Sequence, residues 1–146
     1  MRTLGRSTNI IPVIGRSDSV SEAESRVFKK KLMEQISKHN LQIYNFPIFS
    51  DDDEAYIARN NALEDQLPFA LVGSVETHQV NGKQVRGRKY PWGIVEVDNR
   101  DHCDFLTLKE ILLHTHTDIL KEDTHEIHYE YYRKHDLIRQ QMEKDE

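Results

Sequence analysis

Apolar and polar positions change rhythm twice along the chain. Residues 9–14, NIIPVI, form a short β-branched run that predicts a buried strand. Pro12 inside it points to a sheet edge, or to a place where one ladder bond is given up. Ser21 and Glu24 then stand at capping-box spacing, where each side chain satisfies the other residue's backbone donor. The helix they open carries Phe28, Leu32 and Ile36 on one stripe, with Lys29 to Lys31 turned largely to water. Its end is expected near His39 and Asn40, because Asn tolerates the left-handed cap conformation. Residues 41–48, LQIYNFPI, predict a second strand. Residues 50–55, SDDDEA, form a turn able to cap a short helix over 56–67, which Pro68 closes. Residues 69–75, FALVGSV, predict a third buried strand. This alternation of strands and helices implies an α/β fold, with parallel strands and helices on their faces.

The second half changes character. Asn81-Gly82 is a strong hairpin signal, since both residues accept positive φ. It joins VETHQV to KQVRGRKY, and GIVEV adds a third strand to a small antiparallel meander. Two helices follow, over 104–120 and 124–146. The second is long, charged and aromatic on one side, with a tail over 139–146 expected to fray.

Composition narrows the chemistry. The 146 residues suit one domain of ordinary size, and a formal charge of −5 argues against nucleic acid as the main partner. The single cysteine, Cys103, cannot form an internal disulfide, which favours a reducing compartment and a small buried side chain. The apolar run near the N-terminus is too short for a signal core or for the ~20 residues that span a bilayer. Asp51 to Asp53 lack the glycine and later glutamate of a calcium loop, so they read as a solvated helix start. His114 and His116, two apart on a helix, face different ways. His125 and His128 are three apart, yet HEIHYE is not the His-Glu-x-x-His zinc pattern, and no metal site is read here. GRSDS likewise lacks the nucleophile elbow of serine hydrolases.

The stretch NIIPVIGRSD, residues 9–18, is more informative because of its place. Ligands of open α/β sheets bind beyond the carboxyl ends of parallel strands, where Asp18 and Gly73-Ser74 both lie. A carboxylate there can accept from the N1–H and the exocyclic amine of guanine. Adenine offers an acceptor at N1 and no amine at C2, so the same carboxylate rejects it. The alternative reading is that Asp18 caps a turn or helix.

The segment over 85–113, VRGRKYPWGIVEVDNRDHCDFLTLKEILL, resembles the septins, a family of filament-forming GTP-binding cytoskeletal proteins. NIIPVIGRSD resembles that family's base-specificity segment, and IYNFP, LPFALVGS, RGRKYPWG and THEIHYEYYR fall in the family's order. The likeness runs over residues 1–138. It implies a partial Ras-like P-loop GTPase fold over 1–75, which carries the base-binding part. It further implies a septin-specific meander and C-terminal helices over 76–138. On that resemblance Asp18 pairs with guanine, Gly73 gives a backbone contact, and Arg88 packs beside the base. Arg16 stands where the family has a lysine whose stem covers the base, and a planar guanidinium is not its equivalent. Trp92 and His102 fall at the interface across which two septins face each other, with Glu24 reaching toward it. Tyr129 and Tyr132 lie on the final helix, at the opposite interface. The implied ligand is GTP or GDP, and the implied partners are other septin subunits in hetero-oligomers and filaments.

The chain contains no Gly-x-x-x-x-Gly-Lys-Ser/Thr phosphate loop. That loop and the magnesium ligands belong upstream of residue 1 in the family. The expectation is therefore the C-terminal part of a septin GTPase domain, as a fragment or a degenerate member. Its role would be a cytoplasmic, cytoskeletal one at a septin ring, cortex or division site, without hydrolysis by this chain alone. The competing expectation is a nucleotide-free interaction module. Membrane contact is left open.

Overall fold

Backbone chemistry sets the first elements. The computed structural model describes residues 4–142. Strand β1 (Val13–Gly15) pairs in parallel with β2 (Phe69–Leu71), with Val13 opposite Phe69 and Gly15 opposite Leu71. Between them lie helices α1 (Glu22–Lys38) and α2 (Glu54–Gln66). The capping box forms as expected: Ser21 Oγ accepts from Glu24 N–H, and the Glu24 carboxylate accepts from Ser21 N–H at 2.9 Å. Asn40 ends α1 in the left-handed conformation, with φ of 47°. Asp53 caps α2 by accepting from the Tyr56 N–H at 2.7 Å.

Two expectations for this half fail. Residues 41–48 run extended but join no sheet. Their tie to the β1 segment is the Tyr44 N–H donating to the Ile10 carbonyl at 2.8 Å. Pro12 and Pro47 each lack a ladder donor, so the pairing stops after one bond. The segment serves packing instead, burying Tyr44 and Phe46 on alternate positions. The buried stripe of α1 is also turned by about one residue. Ile36 is buried and Met33 packs on the core, whereas Phe28 is 52% exposed. Lys29 is drawn inward, donating to Asp104 Oδ2 and to the Gln66 carbonyl, each at 3.0 Å. A partner carboxylate at the helix–sheet junction outweighs hydration of that ammonium.

The meander follows the sequence closely. Strands β3 (Thr77–Val80), β4 (Lys83–Tyr90) and β5 (Gly93–Glu96) form an antiparallel sheet. Asn81 and Gly82 take φ of 51° and 79° between Val80 and Lys83, as a two-residue hairpin loop requires. Helix α3 (Phe105–Glu110) runs into a π-helical stretch, Ile111–Thr115, and breaks at His116, where φ is −120°. Helix α4 (Thr117–Asp123), a second π-helical stretch (Thr124–Tyr129) and α5 (Glu130–Met142) continue without a break. The helix boundary thus falls at His116 and not at 120–124. Thr115 and Thr117 hydroxyls donate to the carbonyls of Glu110 and Leu112, which diverts them from the regular ladder. The tail expected to fray is helical over 139–142, and 143–146 lie outside the described residues.

Two cores result. One gathers Tyr44, Phe46, Leu63, Leu67, Phe69 and Ile111 under the helices, and the other gathers Val72, Val95, Val97 and Cys103 behind the meander. No helix among the described residues is long and apolar enough to cross a membrane.

The first core also encloses His116, fully buried, edge-on to Phe46 and stacked with Tyr56. Its Nδ1 lies 2.8 Å from Thr115 Oγ1, while its Nε2 has no partner. Burial, and then the charge of Arg59, hold this imidazole's pKa below its ordinary 6.5. Below that ordinary value the unfolded chain binds a proton that the folded chain refuses. Stability is therefore fully present above it and falls as pH drops through it toward the lower folded value. The urea midpoint is expected to decline between about pH 7 and pH 5, and His116→Phe should flatten that slope. An unchanged slope in the variant would assign the acid sensitivity to other groups.

Candidate functional site

The site begins where β1 stops. Arg16 takes φ of 56° and ψ of 43°, an uncommon conformation for a residue with a side chain, and Ser17–Ser19 form one 3-10 turn. The turn closes through the Ser19 N–H donating to the Arg16 carbonyl at 3.0 Å. This reversal carries Asp18 away from the strand and against the meander.

There Asp18 meets two donors from far along the chain. Arg88 Nη1 lies 3.1 Å from both carboxylate oxygens, and Tyr90 Oη donates to Oδ2. The Asp18 side chain is wholly buried by this arrangement. The helix-cap alternative for Asp18 is overturned, since Ser21 and Glu24 already cap α1. The tyrosine hydroxyl is pushed above its ordinary pKa, chiefly by its hydrogen bond to the aspartate, and then by burial and the carboxylate's charge.

Arg88 and Tyr90 are two residues apart on β4, so the extended backbone presents them on one face, and Trp92 follows on the turn into β5. Their planes stack in series. The Arg88 guanidinium carbon lies 5.8 Å from the Tyr90 ring centroid. Tyr90 and Trp92 rings are 5.0 Å apart and within 4° of parallel. Trp92 remains 70% exposed and offers a flat apolar face. Beside it opens a cleft of about 640 Å3 whose walls include Ser17, Asp18, Ser21, Trp92 and His102. His102 is held there by its Nδ1 accepting from the Glu96 N–H at 3.0 Å.

The structure thus brings Asp18, Trp92 and His102 to the walls of one cleft, with Arg88 joined to it through its bond to Asp18 and Arg16 at the head of the turn that carries Asp18. Gly73 is exposed past β2, with open space where a Cβ would stand. Glu24 is engaged with Ser21, which lowers its pKa, and it lines an adjoining apolar groove with Val20, Val27 and Phe28. Tyr129 and Tyr132 are exposed on the terminal helix, away from the cleft lining. The functional residue that sequence reasoning left without a role is Tyr90. Its signal was present in the alternation of 88 and 90 along β4, which matters only once Asp18 is known to face them.

Chemically, the cleft offers a carboxylate that accepts, donors that can exchange with a ligand, and an exposed ring for stacking. These features fit a planar base bearing adjacent N–H groups. Among the described residues no group of three or more His, Cys, Asp or Glu could hold a metal ion.

The sequence model of the septin family matches residues 1–146. Over 134 residues the chain is 46% identical to Septin-10 of Homo sapiens and to Septin-8-A of Danio rerio, covering 92% of the chain in each case. It spans only 29% and 31% of those relatives. Cdc11 from Saccharomyces cerevisiae aligns in structure with a TM-score of 0.60 and 36% identity, over 92% of this chain and 54% of that one. A septin GTPase domain from Chlamydomonas reinhardtii aligns with a TM-score of 0.65 at 18% identity, which speaks to the fold, over 91% of this chain and 51% of that one. The architecture is that of part of a septin GTPase domain, with parallel and antiparallel sheets and C-terminal helices.

Proposed function

The chain belongs to the septin family, and from that premise we propose that it carries the base-reading part of a septin-type GTP- or GDP-binding site within a subunit that assembles with other septins. The observation that carries this reading is the buried Asp18 carboxylate, held by Arg88 and Tyr90 beside the exposed face of Trp92. Guanine presents its N1–H and amine as a donor pair, so it exchanges with the donors that Asp18 now engages. Adenine has no such pair. Arg88 released from Asp18 stays beside the base, and Gly73 adds backbone contact from the β2 end.

The nucleotide serves as a structural ligand. Trp92, His102 and Glu24 belong to the face that meets a neighbouring subunit across the site. Tyr129 and Tyr132 belong to the opposite face, and the two faces together extend hetero-oligomers into filaments at a cytoplasmic ring or cortex. Hydrolysis needs the phosphate loop, which these 146 residues do not contain. Magnesium, held by ligands outside these residues, would neutralise the phosphates. Phosphate and metal contacts supply much of a nucleotide's affinity, so binding by this chain alone is weak.

Saturation-transfer NMR at millimolar nucleotide suits weak binding. The wild-type chain is expected to favour GDP over ADP by about tenfold, and Asp18→Asn to lose that preference while staying folded. Equal signals from the two nucleotides would refute the base reading. A second reading, a septin-derived interaction module without nucleotide, is favoured by the same bonds, since Arg88 and Tyr90 already fill the Asp18 acceptors. It predicts undiminished capture of a septin subunit by Asp18→Asn.

A further inference from the structure

The carboxylate at the centre of the site has no surface left to meet a ligand. Asp18 stands on the cleft wall near Trp92, yet its side chain is wholly buried. Two groups close it off. Arg88 Nη1 lies 3.1 Å from both oxygens, and the Tyr90 hydroxyl donates to Oδ2. A carboxylate offers about four lone-pair sites, so its capacity to accept is not exhausted. What excludes a ligand is the space that these two side chains take, and no base reaches Asp18 until one of them moves.

We propose that Tyr90 is the latch of this site: its hydroxyl occupies the Asp18 carboxylate until a ligand with adjacent donors dislodges it. The latch rests on the guanine reading of Asp18 and adds to it the group that must give way.

The strand geometry favours Tyr90 over Arg88 as the moving part. Arg88 lies inside the β4–β5 ladder, opposite Val95. Its guanidinium carries several donors and a full charge, so it can slide and still face the carboxylate. Tyr90 is the last residue of β4, and its partner across the ladder is Gly93. That glycine sets no side chain against the ring, and open space lies where its Cβ would stand. The phenol has a single donor and no charge, and a hydroxyl moved by about 1 Å no longer bonds Oδ2. Its ring keeps two supports, the second core and the Trp92 ring 5.0 Å away. A small pivot therefore opens the site at the cost of one hydrogen bond and little packing.

Such a latch governs affinity and choice together. A hydrogen bond to an ionised acceptor is stronger than one between neutral groups, and an incoming ligand must replace it. Guanine returns two donors, its N1–H and its amine, for the one displaced. A ligand with one donor merely exchanges bond for bond and gains nothing. Adenine, with an acceptor at N1 and no amine at C2, leaves the latch shut. Removing the hydroxyl weakens the closed form alone, because in the open form the base already holds Asp18.

Titration of the unaltered chain, Tyr90→Phe and Asp18→Asn with GDP and with ADP, followed by saturation-transfer NMR, tests the latch. Tyr90→Phe is expected to bind GDP about tenfold more tightly than the unaltered chain, the worth of one hydrogen bond to a charged group, and ADP no better. Unchanged Trp92 emission in the variant shows that the ring stack survives and assigns the gain to the hydroxyl. In the unaltered chain the Tyr90 ζ-carbon signal, assigned by its loss in Tyr90→Phe, should shift with GDP and not with ADP. This second readout decides the matter if the variant's emission differs. GDP binding by Tyr90→Phe no tighter than that of the unaltered chain, or a ζ-carbon indifferent to bound GDP, overturns the latch. The base reading survives that result if Asp18→Asn still loses the preference for GDP. If the unaltered chain and Asp18→Asn each bind GDP and ADP alike, the base reading fails and the latch falls with it.

Discussion

Replacing Gly87 by alanine is expected to destabilise the chain by about 3 kcal/mol, a loss of roughly 6 to 12 °C in Tm, and to loosen the Asp18 site with it. Gly87 sits in the middle of β4, opposite Glu96. A Cβ there would stand 2.4 Å from the Val95 carbonyl oxygen, with the Ile94 side chain at 3.2 Å. A backbone oxygen cannot swing aside as a side-chain end can, so the two strands must separate locally. That separation also threatens the Gly87 N–H bond to the Glu76 carbonyl and the Val97 N–H bond to the Arg86 carbonyl, at 3.0 and 2.9 Å. The next residue is Arg88 and the one after Lys89 is Tyr90, so a shift of β4 withdraws both donors from Asp18. Trp92, the sole tryptophan, stacks on Tyr90 and reports the change as altered fluorescence before global unfolding. Wild-type stability together with wild-type Trp92 emission in Gly87→Ala would show that the strands tolerate the Cβ.

This coupling explains which parts of the molecule could be read from the chain. Asn81-Gly82, the Ser21 and Glu24 box, and Asn40 at the end of α1 are local devices, decided by φ/ψ preference and by residues three or four apart. Each appears in the structure where the sequence puts it. Apart from the helix break at His116, where the Thr115 and Thr117 hydroxyls act within their own turn, the failures concern partners distant in the chain. Residues 41–48 have strand composition, yet the segment beside them offers Pro12 where a donor was needed. Lys29 has the look of a solvated helix lysine, and only Asp104, 75 residues on, turns it inward. The stripe of α1 follows Lys29 around the helix.

The same distinction runs through the site. Asp18 was recognisable by its position past a parallel strand, and Arg88 and Trp92 by resemblance. That Tyr90 shares the carboxylate depends on a contact spanning 72 residues, which no local pattern encodes. His128 was legible only as a histidine three residues from another. Its actual partners, Arg6 and Asn9, lie more than a hundred residues away.

Asp104 is where the long-range contacts concentrate, and Asp104→Ala should also cost about 3 kcal/mol. Its Oδ2 accepts from the Ala70 N–H at 2.7 Å and from Lys29 Nζ at 3.0 Å. Its own N–H donates to the Ala70 carbonyl at 2.8 Å. One residue thereby fixes β2, α1 and the start of α3 to one another. Truncation leaves the part-buried Ala70 N–H without an acceptor and Lys29 with only the Gln66 carbonyl. Lys29→Met should cost less, roughly 1 kcal/mol, because Asp104 keeps the Ala70 bond and the lysine stem is replaced by one of similar shape. In the double variant the lysine's stranded charge is gone, so the combined loss should fall short of the sum. Urea unfolding of the three variants yields that coupling directly. Additive losses would mean that the ion pair contributes nothing and that Asp104 acts through Ala70 alone.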